Sequence, residues 1–204
     1  MSNKKEVRFV SEKTLEVRAV DGKRTMSGIA ARYNVRSLDL GGFTEVLAPG
    51  AFTRTLTDPA SDVCCLYGHN LGNGLLGRTT SGTLRLRSTD DGLAFDCDLP
   101  NTTLGNDTAE SISRGDVTGM SFGFMVVNDD WATASDGTTV RTVKDLDLME
   151  ISAVPFPAYP STSVQMRSLM FPGGLPDGLP AVNAVPDESE TDKLLALVLD
   201  RRFR

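Results

Sequence analysis

Three kinds of residue in this chain could carry out chemistry: a serine between glycines, a single histidine, and an acid on an apolar strand. Ser121 lies in the segment GMSFGF, between Gly119 and Gly123. Glycine weakens a strand unless a turn, a bulge or the close approach of another backbone requires it. The segment therefore indicates either a tight corner of a β-structure or a nucleophile with open space on both sides.

The single histidine limits the mechanisms that are available. His69 is the only histidine among 204 residues, so a mechanism that requires two is excluded. It follows the apolar segment VCCLY and opens a glycine-rich stretch, and loops next to rigid strands often carry functional groups. Imidazole titrates near neutral pH and can act as a general base. The alternative is an ordinary surface or hydrogen-bonded histidine.

The acid is Glu150, in the segment DLDLMEISAV. If this segment is a regular strand, alternation places Glu150 on one face with Leu146, Leu148, Ser152 and Val154. A carboxylate on an apolar face is unfavourable unless it is paired or hydrogen-bonded. Glu150 is therefore expected either to form a salt bridge with an arginine or to orient a histidine.

A serine, a histidine and a carboxylate form the set that acyl transfer requires. The hydroxyl is a weak nucleophile until a base removes its proton. The carboxylate fixes the tautomer of the imidazole, and the order of the three along the chain varies between folds. Serines and acids are common, so the residue types alone do not identify this chemistry.

A cysteine or metal site is the competing interpretation. Cys64, Cys65, Cys97 and His69 together number four, which is the ligand count of a structural zinc site. Adjacent cysteines point to opposite faces of a strand, however, and VCCLY is typical of core packing. Cys65 and His69 could share a face, which would permit a thiol nucleophile.

The elements that must position these residues are mostly short β-like segments. We expect an α+β, mainly β fold, with a compact antiparallel, β-barrel-like core and a few packed helices. Strands are predicted over residues 14–20, 25–34, 83–89 and 92–99, and helices over residues 49–56 and 108–115. Asp91-Gly92 is a hairpin signal, and Gly115 is expected to cap the second helix.

The character of the sequence changes near residue 169. We expect a compact domain over residues 1–168, a linker rich in proline and glycine over 169–188, and a short amphipathic helix over 189–204. A free helix of this length is marginal in water, so it is expected to need a partner.

Composition excludes several classes of protein. The net charge of −6 argues against a general nucleic-acid binder. No apolar run approaches the ~20 residues that span a bilayer, so no membrane association is expected. The first residues lack an apolar signal core and the cysteines number three, so we expect a protein that is not secreted and that works in a reducing compartment.

Several segments, taken in order, resemble the phage prohead protease family, the capsid maturation proteases of tailed bacteriophages. They are SGIAARYNV, APGAF, YGHN with LGRTTSGTLRL, ISRGDVTGMSFGF and LMEISAVPFPAYPST. The resemblance covers most of residues 6–165. It implies a serine endopeptidase that needs no cofactor and has a fold similar to that of the herpesvirus assembly protease.

The resemblance also implies roles for individual residues. It places the catalytic histidine at His69, the nucleophile at Ser121 and an acid at Glu150. Herpesvirus enzymes use a second histidine as the third member, which this chain lacks. Asp145, Asp147 or a working dyad without an acid are the alternatives to Glu150.

The implied function is cleavage of the scaffold protein, or of the scaffold domain of the capsid protein, inside the prohead in the host cytoplasm. The family also cleaves itself, and the 189–204 helix is a candidate for removal in this way. The expected partners are the major capsid protein, the scaffold protein and a second copy of the chain. The alternative is a non-catalytic scaffold or capsid assembly component.

Overall fold

The computed structural model describes residues 5–10 and 15–155, which form two β-sheets, two α-helices and a short 3₁₀ turn at Leu71–Asn73. The strands are β1 Glu6–Val10, β2 Leu15–Val20, β3 Lys23–Arg32, β4 Thr44–Leu47, β5 Cys64–Tyr67, β6 Gly77–Arg78, β7 Leu84–Ser88, β8 Gly92–Asp98, β9 Gly119–Thr133 and β10 Thr139–Val154. The helices are α1 Thr53–Thr57 and α2 Thr103–Arg114.

The larger sheet carries the residues that the sequence singled out, and we call it the site sheet. Its strand order is β1-β9-β10-β5-β6, with β4 also paired to β10. β9 is antiparallel to both β1 and β10, whereas β4 and β5 run parallel to β10. The two longest strands, β9 and β10, therefore form the middle of this sheet.

The second sheet is antiparallel throughout, in the order β2-β3-β8-β7. β7 and β8 form a hairpin in which Ser88 pairs with Leu93, as the Asp91-Gly92 signal predicted. One cluster of buried apolar side chains joins the two sheets. It includes Met26 and Phe95 of the second sheet and alternate residues of β9, so burial of the inner faces holds the sheets together.

Helix α2 shows how local signals set its ends. The side chain of Thr102 accepts a hydrogen bond from the backbone N–H of Gly105, and Gly115 ends the helix at φ 84°. The cap at Gly115 confirms the predicted end. The helix begins at Thr103 rather than at residue 108, because the capping hydroxyl of Thr102 outweighs the weak helix propensity of the LGND segment.

The fold is mainly β with few helices, as predicted, but the expectation of a barrel-like core was wrong. The described residues form open sheets, and the site sheet is not purely antiparallel. Closure would require the edge strands to pair with each other. The β6 edge is only two residues long, so the site sheet ends there. The likeness to the herpesvirus assembly protease stays a prediction.

Parts of the predicted organisation lie outside the described residues. These are the end of the compact domain at residue 168, the 169–188 linker and the 189–204 helix. Within the described ranges, no helix is both long enough and apolar enough to cross a membrane.

We predict that Gly105→Ala destabilises the fold, although alanine in place of glycine usually stabilises a helix by about 1 kcal/mol. A Cβ at Gly105 would lie 2.0 Å from the backbone oxygen of Pro100, which cannot move without shifting the chain that leads into α2. We expect a loss of about 1–3 kcal/mol in the free energy of unfolding, measured by urea titration. Glu110→Ala on the exposed face of α2 is the control, and a more stable Gly105→Ala variant would contradict the prediction.

Candidate active site

A register shift in β10 decides which side chains meet Ser121. Leu148 pairs with Phe124, but Glu150 pairs with Gly123, which leaves Met149 without a partner in the register. A bulge of one residue moves every following side chain to the opposite face of the sheet. The expectation that Glu150 shares the face of Leu146 and Leu148 was therefore wrong, because it assumed unbroken alternation.

Beyond this bulge, the two strands present their polar residues on one face. Ser152 lies directly opposite Ser121, and Glu150 lies opposite Gly123. Directly opposed residues of an antiparallel pair project to the same side of a sheet. The site face is thus formed by Ser121 on β9 and by Glu150 and Ser152 on β10, and all three are buried.

His69 reaches this face from the turn that follows β5. β5 pairs with β10, so that Tyr67 lies beside Ala153, and the backbone N–H of Gly68 donates to the Ala153 carbonyl. Gly68 and His69 then adopt φ angles of 61° and 62°. A left-handed backbone costs a residue with a side chain about 1–2 kcal/mol, so the contacts of His69 hold it in a conformation it would otherwise avoid.

Those contacts are with Glu150 and Ser152. The ring Nδ1 of His69 lies 2.6 Å from Oε1 of Glu150, and the backbone N–H of His69 donates to Oγ of Ser152 at 3.3 Å. An ionised carboxylate can only accept hydrogen bonds. The proton between the two groups is therefore assigned to Nδ1, and whenever the ring is neutral its Nε2 is an acceptor.

Glu150 has a full set of donors. Besides His69, its Oε1 lies 3.2 Å from Nζ of Lys5, and its Oε2 accepts the hydroxyl of Ser152 at 2.6 Å. Burial alone would raise the pKa of Glu150. The hydrogen bond and charge of His69, the Ser152 hydroxyl and the Lys5 ammonium outweigh this effect, so its pKa lies below the usual range. The carboxylate is accordingly held in its charged form.

Gly123 has a different role from the one expected. The sequence suggested that glycines clear space beside Ser121. A Cβ at Gly123 would instead lie 2.5 Å from Oε1 of Glu150 and 2.5 Å from Cε of Lys5. The missing side chain at Gly123 makes room for the carboxylate that contacts His69.

Strand β1 lies beside the serine in the sheet. Phe9 of β1 pairs with Ser121, and the Ser121 hydroxyl donates to the backbone oxygen of Arg8 at 2.8 Å. The ring of Phe9 meets the His69 ring edge-on, with centroids 5.9 Å apart. Nε2 of His69 is buried without a hydrogen-bond partner. Ser121 and His69 are therefore on one face but are not hydrogen-bonded to each other in this state.

The other candidate acids lie elsewhere. Asp145 accepts hydrogen bonds from the guanidinium of Arg54, at 2.5 Å for Nη2, and Asp147 lies 3.6 Å from the same group. Glu150 is the acid that contacts His69.

The cysteines do not form the competing site. Cys65 is fully buried, and its hydrogen bond with Cys97, together with burial, raises the pKa of its thiol. A protonated thiol is a poor nucleophile. Among the residues that the structure describes, no three histidine, cysteine or acidic side chains form a group that could hold a metal ion.

Sequence reasoning overlooked Ser152 and the residues of β1. The spacing of Glu150 and Ser152, two apart on one strand, was the available signal for Ser152. Arg8 and Ser121 are 113 positions apart, and no local pattern connects them.

Comparisons with known proteins bear on the same region of the chain. Residues 13–171 match the family described as caudovirus prohead serine protease. The prohead protease of Enterobacteria phage HK97 is 29% identical over 140 residues, which cover 68% of this chain and 58% of that protein's length. The solved structure of the bacteriophage T4 capsid assembly protease gp21 aligns with a TM-score of 0.46 at 9% identity, covering 74% of this chain and 96% of that one.

The family match extends over well more than half of the sequence. It spans the strands and the turn that carry Ser121, His69 and Glu150. The chain therefore belongs to the caudovirus prohead serine protease family.

Proposed function

We propose that this chain is a serine endopeptidase of phage head maturation, with Ser121 as nucleophile, His69 as base and Glu150 as orienting acid. The observation that carries the proposal is the 2.6 Å contact between His69 and Glu150 on the face that holds Ser121. Its substrates would be the scaffold protein or the scaffold domain of the capsid protein, and the chain itself. Its family membership supports this choice of substrate.

In the proposed reaction, Nε2 of His69 removes the proton from Ser121 as Oγ attacks the carbonyl carbon of the cleaved bond. Glu150 accepts a hydrogen bond from Nδ1–H, without taking the proton, and stabilises the imidazolium that forms. The imidazolium then protonates the leaving amine. A water molecule, activated by the same histidine, releases the acyl group and restores the serine.

In the structure, Ser121 is not placed for this proton transfer. The Ser121 hydroxyl is bonded to Arg8 rather than to His69, and Ser121 has no exposed surface. A substrate that adds to β9 as a strand can reach the serine only if β1 moves away. The position of a peptide carbonyl of the chain against its own nucleophile supports self-cleavage as part of the proposed function.

The proposed setting is the interior of the prohead in the bacterial host. The partners there would be the major capsid protein, the scaffold protein and a second copy of the chain. Complete burial of Ser121 is the observation that favours the alternative, a non-catalytic assembly component. The two functions differ in whether the loss of one hydroxyl abolishes cutting.

We predict that Ser121→Ala and His69→Ala each abolish cleavage when the chain is co-expressed with the capsid and scaffold proteins of its phage. Either change removes a group that the acyl-transfer steps require, and losses of such groups reduce rates by about 10⁴-fold or more. Intact-mass spectrometry of all chains is the measurement.

Cys65→Ala is the control and is expected to yield the same products as the wild type. If Ser121→Ala still cuts, the nucleophile is misassigned. If the wild type cuts nothing under these conditions, the assembly-component alternative is favoured.

We predict that the stability of the wild type relative to Glu150→Gln falls as the pH is lowered from 5 to 3. The pKa of Glu150 in the folded protein lies below its unfolded value of about 4.3. The ionised carboxylate therefore stabilises the fold above that unfolded value, and this contribution is lost as the pH falls through the folded pKa. Urea titrations at each pH measure the effect. Glu110→Gln, at an exposed position on α2, is the control. If the stability of the wild type declined equally relative to Glu150→Gln and relative to Glu110→Gln, the assignment would be contradicted.

We predict that Ser152→Ala lowers kcat by about 10- to 100-fold with little change in KM, because Ser152 positions Glu150 and the backbone of His69. The acid limb of the pH–rate profile should shift as well, since Glu150 loses a donor. Ser152→Thr should restore much of the rate. Ser27→Ala, which removes a hydroxyl bonded to Asp96 in the second sheet, is the matched control. A loss of stability with an unchanged pH profile would indicate a merely structural role for Ser152.

A further inference from the structure

The strand that carries Ser121 offers one edge to an incoming peptide. β9 pairs with β10 on one side and with β1 on the other. β10 is held in the middle of the site sheet, because it also pairs with β4 and β5. A peptide that reaches Ser121 as an added strand must therefore take the place of β1. The contacts of β1 show how such a peptide would lie.

Two contacts mark the bond beside the nucleophile. The Ser121 hydroxyl donates to the carbonyl oxygen of Arg8, and the next residue, Phe9, pairs with Ser121 and meets His69. The peptide bond between Arg8 and Phe9 is thus the one presented to the site. A substrate residue in the place of Arg8 would supply the carbonyl that the serine attacks.

The side chain of Arg8 projects away from Ser121, because neighbouring residues of a strand face opposite sides. There its Nε and Nη2 donate to the two oxygens of Glu45 at 2.8 Å and 2.9 Å. The guanidinium also lies 5.5 Å from the centre of the Phe124 ring. Glu45 is only 3% exposed, so this fork of two hydrogen bonds is formed in a nearly dry pocket.

The charges around Glu45 favour a cation in this pocket. Arg141 lies 3.2 Å from Glu45 and 2.6 Å from Asp129. When β1 is absent, Glu45 loses both hydrogen bonds from Arg8 and keeps only the guanidinium of Arg141, which it shares with Asp129. Once a bound peptide covers Glu45 again, a carboxylate without enough donors would be strongly unfavourable. A basic side chain of the substrate would replace the donors that Arg8 supplies.

We infer that Glu45 is a specificity-determining residue that selects substrates with a basic residue, arginine above lysine, immediately before the cleaved bond. Arginine is preferred because its planar fork matches both carboxylate oxygens, whereas an ammonium group is a point charge. The inference rests on the proposed function and specifies which class of peptide segment the site would cut. A purely structural role of the Arg8–Glu45 pair in holding β1 is the competing outcome.

The test uses the full chain and a library of bacterial peptides prepared with a protease that cuts after glutamate. Mass spectrometry maps the residue before each new cut. We expect arginine to be enriched about 10-fold or more over neutral residues of similar size at that position, with lysine second. In Glu45→Gln, the ratio of cuts after arginine to cuts after glutamine should fall by about 10-fold.

Asp129→Asn is the matched control. It also removes a carboxylate from Arg141, but Asp129 makes no contact with Arg8 in the described contacts, so the preference for arginine should remain. An equal loss of preference in both variants would mean that the effect acts through Arg141, and would overturn the inference.

A second measurement does not depend on hydrolysis or on the folding of Glu45→Gln. In a Ser121→Ala background, Arg8→Lys and Arg8→Gln are compared by hydrogen exchange of the β1 amides. Selection by Glu45 requires that the β1 amides are best protected from exchange with arginine at position 8, less with lysine and least with glutamine. Equal protection in all three would show that β1 is held by its backbone alone, and would overturn the inference.

The failures of the two proposals are distinguishable. If the wild type cuts the library without a preference for basic residues and Ser121→Ala does not cut, the specificity inference fails and the proposed function stands. If wild type and Ser121→Ala are equally inactive on the library and on the co-expressed capsid and scaffold proteins, the proposed function fails, and the specificity inference fails with it.

Discussion

A buried carboxylate must be supplied with hydrogen-bond donors, and the arrangement around Ser121 depends on how Glu150 obtains them. His69, Ser152 and Lys5 provide these donors from the turn after β5, from β10 and from the residue before β1. Gly123 leaves the volume that the carboxylate fills. The ion is thus satisfied in a site where an unpartnered charge would be strongly unfavourable. In satisfying it, the surrounding strands also fix the tautomer and the position of the imidazole.

The same contacts connect the site to the N-terminal strand. Lys5 forms an ion pair with Glu150, and Phe9 packs against His69. The backbone oxygen of Arg8 accepts a hydrogen bond from the Ser121 hydroxyl. Departure of β1 would therefore change the surroundings of all three proposed catalytic residues at once. The Nε2 atom of His69 is buried without a hydrogen-bond partner, and Phe9 of β1 packs against the same ring. One strand thus neighbours both the serine and the histidine.

Strands β9 and β10 show why the facing of some site residues was predictable from the sequence and that of others was not. In β9, simple alternation holds: Met120, Phe122 and Phe124 pack into the apolar core and Ser121 lies on the opposite face, because the extra residue of the bulge is on β10. In β10, the same rule placed Glu150 on the apolar face. A bulge is set by how two strands pair, and one strand's sequence does not reveal it. The expected barrel failed for a related reason, since closure depends on contacts between edges that are distant in sequence.

The sequence by itself determined the mainly β character, the hairpin at Asp91-Gly92, the helix end at Gly115, and the residue types of an acyl-transfer site with one histidine. These features follow from local backbone preferences and from the residue types that the sequence contains. Only the tertiary structure decided that Glu150 rather than Asp145 or Asp147 contacts His69, and that β1 pairs with β9 at Ser121. Both outcomes depend on strand register and on contacts across long stretches of chain, which local preferences do not encode.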